Sequence, residues 1–188
     1  LLVDEVYERI VYEEKHFSLA AHSDLKNHLI TVNSLSKTYA MTGWRVGYAV
    51  SNPDIVKAMG KVSMYVNACR NSFVQKAAVA ALDGPQDCVE SMVGEYRRRR
   101  DLVIDRLKEM DAFSVTKPTG AFYVYPRILL EIESPNFVKQ LIEKAKVAVM
   151  PGTAFSMKGE KYFRISCANS LENISEAMDR IQKVVSKP

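Results

Sequence analysis

Long apolar runs are missing from this sequence. None approaches the roughly 20 residues of a membrane-spanning helix, and the first residues lack the charged, apolar and small-residue layout of a signal peptide. Neither a membrane partner nor export is therefore expected. Cysteine is scarce: Cys69, Cys88 and Cys167 are odd in number and scattered, with no C-x-x-C pair. That argues against a disulfide framework or a zinc site and points to a reducing, cytoplasmic compartment. An excess of one charge is also lacking, since 26 Lys+Arg stand against 22 Asp+Glu for a net charge of +4. No basic stripe is interleaved with aromatic residues, so no nucleic-acid partner is expected. The histidines His16, His22 and His28 recur every six residues. That spacing suits neither one helix face nor a metal pair, so they read as surface residues and no metal ligand set is expected. Internal repeats and low-complexity segments are absent as well.

What is present is a chain of 188 residues, 47% hydrophobic and 26% charged, which can bury the core of one large domain or of a domain and a half. It opens Leu1-Leu2-Val3-Asp4 without methionine or a turn residue, as a buried strand entered partway through a larger fold would. Strands are predicted at residues 1–3, 29–32 and 44–50, the last reading W-R-V-G-Y-A-V. Asn52-Pro53-Asp54 starts a helix carrying Ile55, Val56, Met59, Val62 and Met64, and Asn71-Ser72 caps another over 73–82. Asp83-Gly84-Pro85 is a strong breaker and the expected boundary between domains 1–84 and 85–188.

Beyond the breaker the pattern predicts a helix over 86–110 and strands at 113–116 and 121–125. A helix over 136–146, strands at 147–150 and 162–168, and a last helix over 171–185 capped by Ser170 complete it. The fold class is α/β: a parallel-type α/β layer followed by a small α+β domain. The run Arg97-Arg98-Arg99-Arg100 reads as a solvated helix face with partners such as Asp101 and Asp105. Met41, Met59, Met64, Met92 and Met110 read as core filler.

Chemistry concentrates in the segment Ser34-Leu35-Ser36-Lys37 and its continuation to Gly43-Trp44-Arg45-Val46-Gly47. It sets a lysine just after a buried-type strand, between hydroxyls and a later arginine. A lysine in a desolvated strand-end loop can act as an amine nucleophile or proton carrier. Serine hydroxyls with one planar cation are what an anionic phosphate takes. Composition alone leaves open an ordinary lysine in a surface loop.

The segment resembles the lysine signature of the class I/II aminotransferases, fold-type-I enzymes that use pyridoxal 5′-phosphate (PLP). In that signature, small–apolar–small–Lys is closed by Gly-x-Arg-x-Gly. The resemblance implies that Lys37 forms the Schiff base with PLP and shuttles the substrate proton. It also implies that Ser34 and Arg45 hold the cofactor phosphate, with Ser36 as a helper. Upstream, Asp4-Glu5-Val6-Tyr7 is similar to the family's Asp-x-x-Tyr. This implies that Asp4 pairs with the pyridine nitrogen and Tyr7 with the ring 3-oxygen. Pro151-Gly152-Thr153-Ala154-Phe155 and Arg164-Ile165-Ser166 resemble the family's Pro-Gly-x-x-Phe and Arg-x-Ser elements, implying that Arg164 takes the substrate α-carboxylate. Gly120-Ala121-Phe122-Tyr123 also matches and reads as packing, as does Trp44 beside the cofactor loop. Arg70 lies roughly where some dicarboxylate-specific members of the family place a substrate-reading arginine that reaches across the dimer, but its local pattern Asn67-Ala68-Cys69-Arg70-Asn71 matches poorly.

The expected protein is thus the C-terminal half of an aspartate aminotransferase-like enzyme. It is expected to exchange an amino group between an L-amino acid and a 2-oxo acid, as a homodimer at full length. Two other readings stay open. A carbon–sulfur lyase or cyclopropane-forming synthase shares the core residues. The effector domain of a transcriptional regulator would bind PLP without turnover. A purely structural use has no need of Asp4, Lys37, Arg45 and Arg164 together.

Overall fold

The computed structural model describes residues 1–186, which divide into two compact units, Leu1–Val93 and a second from Gly94 onward. The division falls inside a long helix, beyond the Gly84-Pro85 breaker.

The first unit is built on a three-stranded sheet of β1 (Leu2–Asp4), β2 (Ile30–Ser34) and β3 (Gly47–Val50), in that order. The β-branched run Ile30-Thr31-Val32 suits an extended strand with neighbours on both sides. β1 and β2 are parallel, with Asp4 opposite Val32. β3 returns antiparallel, Ser34 facing Gly47, so the layer is mixed where a parallel one is predicted. The connection carries only the single turn α1 (Leu35–Thr38) and a 3-10 turn at Thr42–Trp44. At residues 35–46 it is much shorter than the 5–29 connection that carries the chain back parallel from β1 to β2, and a short connection favours reversal. The predicted strand 44–50 loses its first residues because Arg45 adopts a left-handed φ of 54°, which ends extended structure before Gly47. Gly47 is required there: a Cβ would lie 2.6 Å from the Asn33 carbonyl oxygen.

Helices α2 (Pro53–Asn67) and α3 (Ser72–Asp83) start where predicted. Asn52 accepts from the Ile55 N–H at 3.0 Å and Asn71 from the Phe73 N–H at 3.3 Å. Buried residues in this unit include Ile10, Leu29, Leu35, Met41 and Val74. Leu1 and Leu2, at the start of the edge strand β1, are 67% and 72% exposed. Met59 and Met64, predicted as core, are likewise exposed, while Met41 and Met110 are buried.

Helix α4 (Asp87–Lys108) runs from the first unit into the second. The second unit then adds β4 (Phe113–Ser114), β5 (Tyr123–Val124), β6 (Arg127–Ile128), α5 (Ser134–Gln140) with a π turn at Leu141–Ala145, β7 (Met150–Pro151), β8 (Phe163–Ser166) and α6 (Leu171–Val185). β5 and β7 both pair antiparallel with the central β8. α6 buries Ile174, Met178 and Ile181 at helical spacing and is capped by Ser170 as predicted. Leu107, Val124, Leu141, Phe163 and Cys167 are wholly enclosed, and Phe113, Phe137 and Phe163 meet at centroid distances of 5.2–5.7 Å.

The arginine run corrects another expectation. Arg98 and Arg99 pair with Glu95 one turn back. Arg100, far from solvated, is 1% exposed. Its guanidinium donates to Asp101 and, at 2.8 Å, to the Pro118 carbonyl. Consecutive helix positions point around the axis, so one of four must turn inward.

Candidate functional site

In the first unit the sheet places its chemistry at one end. Asp4 ends β1 and Ser34 ends β2, and these parallel strands are in register at Asp4 and Val32. Ligands of α/β sheets sit beyond the carboxyl ends of such strands. Asp4 is exposed, its Oδ1 accepting the Val6 N–H at 3.1 Å. Tyr7, in the turn that follows, is half-buried.

Ser34 does two jobs locally. Its hydroxyl caps α1 by accepting the Ser36 N–H at 3.1 Å and lies 2.9 Å from the Ser36 hydroxyl. It also reaches the Val46 carbonyl at 3.1 Å, which ties the start of α1 to the approach of β3. Lys37 follows on that single turn, half-buried between the enclosed Ser36 and Thr38. Thr42 donates to the Ser36 carbonyl at 3.1 Å, and Arg45 Nη1 donates to the Thr42 carbonyl at 2.9 Å. The left-handed Arg45 is thus tethered back to the lysine turn.

Ser34, Ser36 and Arg45 line one cavity of about 580 Å³, together with Gly47, Met59, Gly60, Ser63 and Arg70. Arg70, whose local sequence pattern matches the family poorly, brings a second guanidinium to this cavity. Lys37, Asp4 and Tyr7 are placed by strand ends and turns rather than by this cavity's lining.

In the second unit Arg164 lies on β8, half-buried, with its Cζ 4.2 Å over the Tyr123 ring and 4.4 Å over the Phe155 ring. Tyr123, read from sequence as packing, is therefore part of the arginine's surroundings.

The sequence profile described as "Aminotransferase class I and II" matches residues 1–181. The chain belongs to that family. It is 46% identical over 189 residues to an aspartate aminotransferase of Pyrococcus abyssi, covering 98% of this chain and 48% of the relative. It is 45% identical to the aromatic-amino-acid aminotransferase 2 of Thermococcus litoralis, with the same coverage of 98% and 48%. Among solved structures, an aromatic aminotransferase from Pyrococcus horikoshii superposes with a TM-score of 0.94 at 43% identity, over 97% of this chain and 50% of that one. The chain thus spans about half the length of the curated relatives it matches. Its α/β fold class is that of the family.

Two other features of this aminotransferase-family chain bear on binding. Glu5, Glu8 and His16 each bring a ligand-type atom within 4.8 Å of the others, but the buried Glu5 carboxylate already accepts from Ser18 at 2.9 Å and faces His16 at 3.4 Å. Among the described residues no helix is long and apolar enough to cross a membrane.

Proposed function

We propose that the protein carrying this chain is a PLP-dependent aminotransferase that moves an amino group between an L-amino acid and a 2-oxo acid. The observation that supports this most directly is the shared cavity of Ser34, Ser36 and Arg45 at the end of the strand leading into Lys37. Two hydroxyls and a guanidinium suit a phosphate monoester, and the amine beside them suits an aldehyde. The residues present therefore fit the cofactor. When bound, PLP supplies that aldehyde and a ring that draws electrons from the substrate Cα.

In this reading Ser34, Ser36 and Arg45 hold the phosphate and Lys37 Nζ is the point of covalent attachment. With its amine free, Lys37 Nζ would move a proton from the substrate Cα to the carbon of the cofactor's aldehyde group. The Asp4 carboxylate holds a proton on the ring nitrogen through a charge-assisted hydrogen bond, and Tyr7 donates to the ring oxygen. Arg164 receives the substrate α-carboxylate, for which a planar guanidinium is suited as lysine is not.

The reading includes a homodimer. α2 buries none of its residues and exposes Val62, Met64, Tyr65 and Val66, an apolar surface of the kind that interfaces cover. It also includes a cytoplasmic location, in keeping with the free thiols of Cys69, Cys88 and Cys167.

Borohydride reduction of the complete, PLP-loaded protein followed by peptide mapping tests the proposal. The expected result is a single pyridoxyl group on Lys37. A label on another lysine, or none, refutes it.

A further inference from the structure

We propose that Phe155, acting with Tyr123, is a positioning residue for the substrate carboxylate: the two rings hold the Arg164 guanidinium by its faces and leave its N–H edge for an incoming anion. This rests on the reading of Arg164 given above.

The sheet fixes the arrangement. β8 lies between β5 and β7, and its alternation turns Phe163 and Ile165 into the core and Arg164 to the other face. Tyr123 stands opposite Ser166, on Arg164's face and diagonal to it, within reach of a long side chain. Phe155 arrives from the other side. Met150 of β7 pairs with Arg164, and the chain then turns through a 3-10 turn at Gly152–Ala154 that delivers Phe155.

That turn is held by backbone contact. The Gly152 N–H donates to the Tyr162 carbonyl at 2.7 Å, and the Phe155 N–H to the Gly152 carbonyl at 3.0 Å. Tyr125 stacks on Tyr162 at 5.2 Å and meets the Phe155 ring edge-on at 6.3 Å. Phe155 is thus placed by a hydrogen-bonded turn although it is 48% exposed.

Arg164, half-buried, meets two ring faces. Among the described residues no carboxylate lies within ion-pairing distance of it. Aromatic faces attract the cation through the ring quadrupole, yet offer no acceptor in the plane of its N–H donors. Rings thereby orient the guanidinium without consuming its bidentate edge, whereas an internal Asp or Glu would have consumed it.

Removing one ring should loosen that orientation and weaken every substrate through its α-carboxylate, whatever its side chain. In the complete, PLP-loaded protein, Phe155→Leu should raise KM for L-aspartate, L-tyrosine and 2-oxoglutarate alike, by about three- to tenfold. Turnover number and PLP affinity should hold. Phe155→Tyr, which keeps the ring, should restore KM. Calorimetric titration with succinate, which binds without reacting, should show the same loss of affinity in Phe155→Leu.

If Arg164→Lys raises KM while Phe155→Leu leaves KM and succinate affinity untouched, the ring clamp is wrong although the carboxylate role stands. If Arg164→Lys leaves KM unchanged, the carboxylate role itself fails, and the clamp with it. A parallel drop of turnover and thermal stability in Phe155→Leu, not rescued by Phe155→Tyr, would mean packing alone and would also overturn the proposal.

Discussion

Gly152→Ala should be among the most damaging single-methyl additions this chain can receive. A Cβ at that position would meet the Gly159 carbonyl, and would lie 2.6 Å from the Tyr125 hydroxyl and 2.7 Å from the Tyr162 carbonyl. Ordinary contact would need those groups to retreat by roughly 0.7–1.1 Å. Tyr125 is held by its stack on Tyr162, and two of the three obstacles are backbone. The Gly152 N–H also donates to the Tyr162 carbonyl at 2.7 Å, a bond that retreat would stretch. Overpacking of this kind costs about 3 kcal/mol, the upper part of the usual range. Because Phe155 hangs from the same turn, KM for amino and oxo acid should rise as well. Gly94→Ala is the control: it lies on an exposed turn of α4 with nothing within 4 Å of the added methyl. Helix propensity should there raise stability by about 0.5–1 kcal/mol. Urea denaturation of the complete protein and its two variants, read at constant m, measures both. If Gly152→Ala unfolds within 1 kcal/mol of the parent, as judged against ~3 kcal/mol expected, the Gly152–Gly159 contact and the argument built on it are refuted.

Two further outcomes follow from buried groups. Arg100→Ala should destabilise by about 2–3 kcal/mol in urea denaturation, below the full cost of breaking a buried pair, because Asp101 keeps Lys117 at 3.0 Å; a neutral result would contradict Arg100's burial. Burial pushes the Cys167 thiol up to about 11 from its ordinary 9.0. The folded chain therefore keeps a proton there that the unfolded chain releases, so this contribution to stability is present below pH 9 and is lost as pH rises toward 11. Disulfide-reagent titration at pH 8 should accordingly find Cys69 and Cys88 reactive and Cys167 silent until unfolding; rapid labelling of Cys167 in the folded protein would contradict it.

Helix α6 was fully legible in the sequence, from its Ser170 cap to its end, because capping and a 3.6-residue apolar period are local properties. Ser34, Ser36, Lys37 and Arg45 lie on one short stretch that the resemblance to the aminotransferase lysine signature singled out, where composition alone left an ordinary surface lysine open, and the fold brings Ser34, Ser36 and Arg45 to one cavity. Local pattern carried less of the sheet. Strand direction depends on what the connection can span, so only the fold showed β3 returning antiparallel after a single helical turn. Burial likewise belongs to the neighbours. Arg100 reads like the three arginines before it, yet it alone turns inward to the Pro118 carbonyl, while Met59 and Met64 read as core and are exposed. The surroundings of Arg164 were beyond the sequence for the same cause. Tyr123, Phe155 and Arg164 are scattered along the chain, and only antiparallel register, which sets alternate residues of distant strands on a common face, puts both rings over one guanidinium.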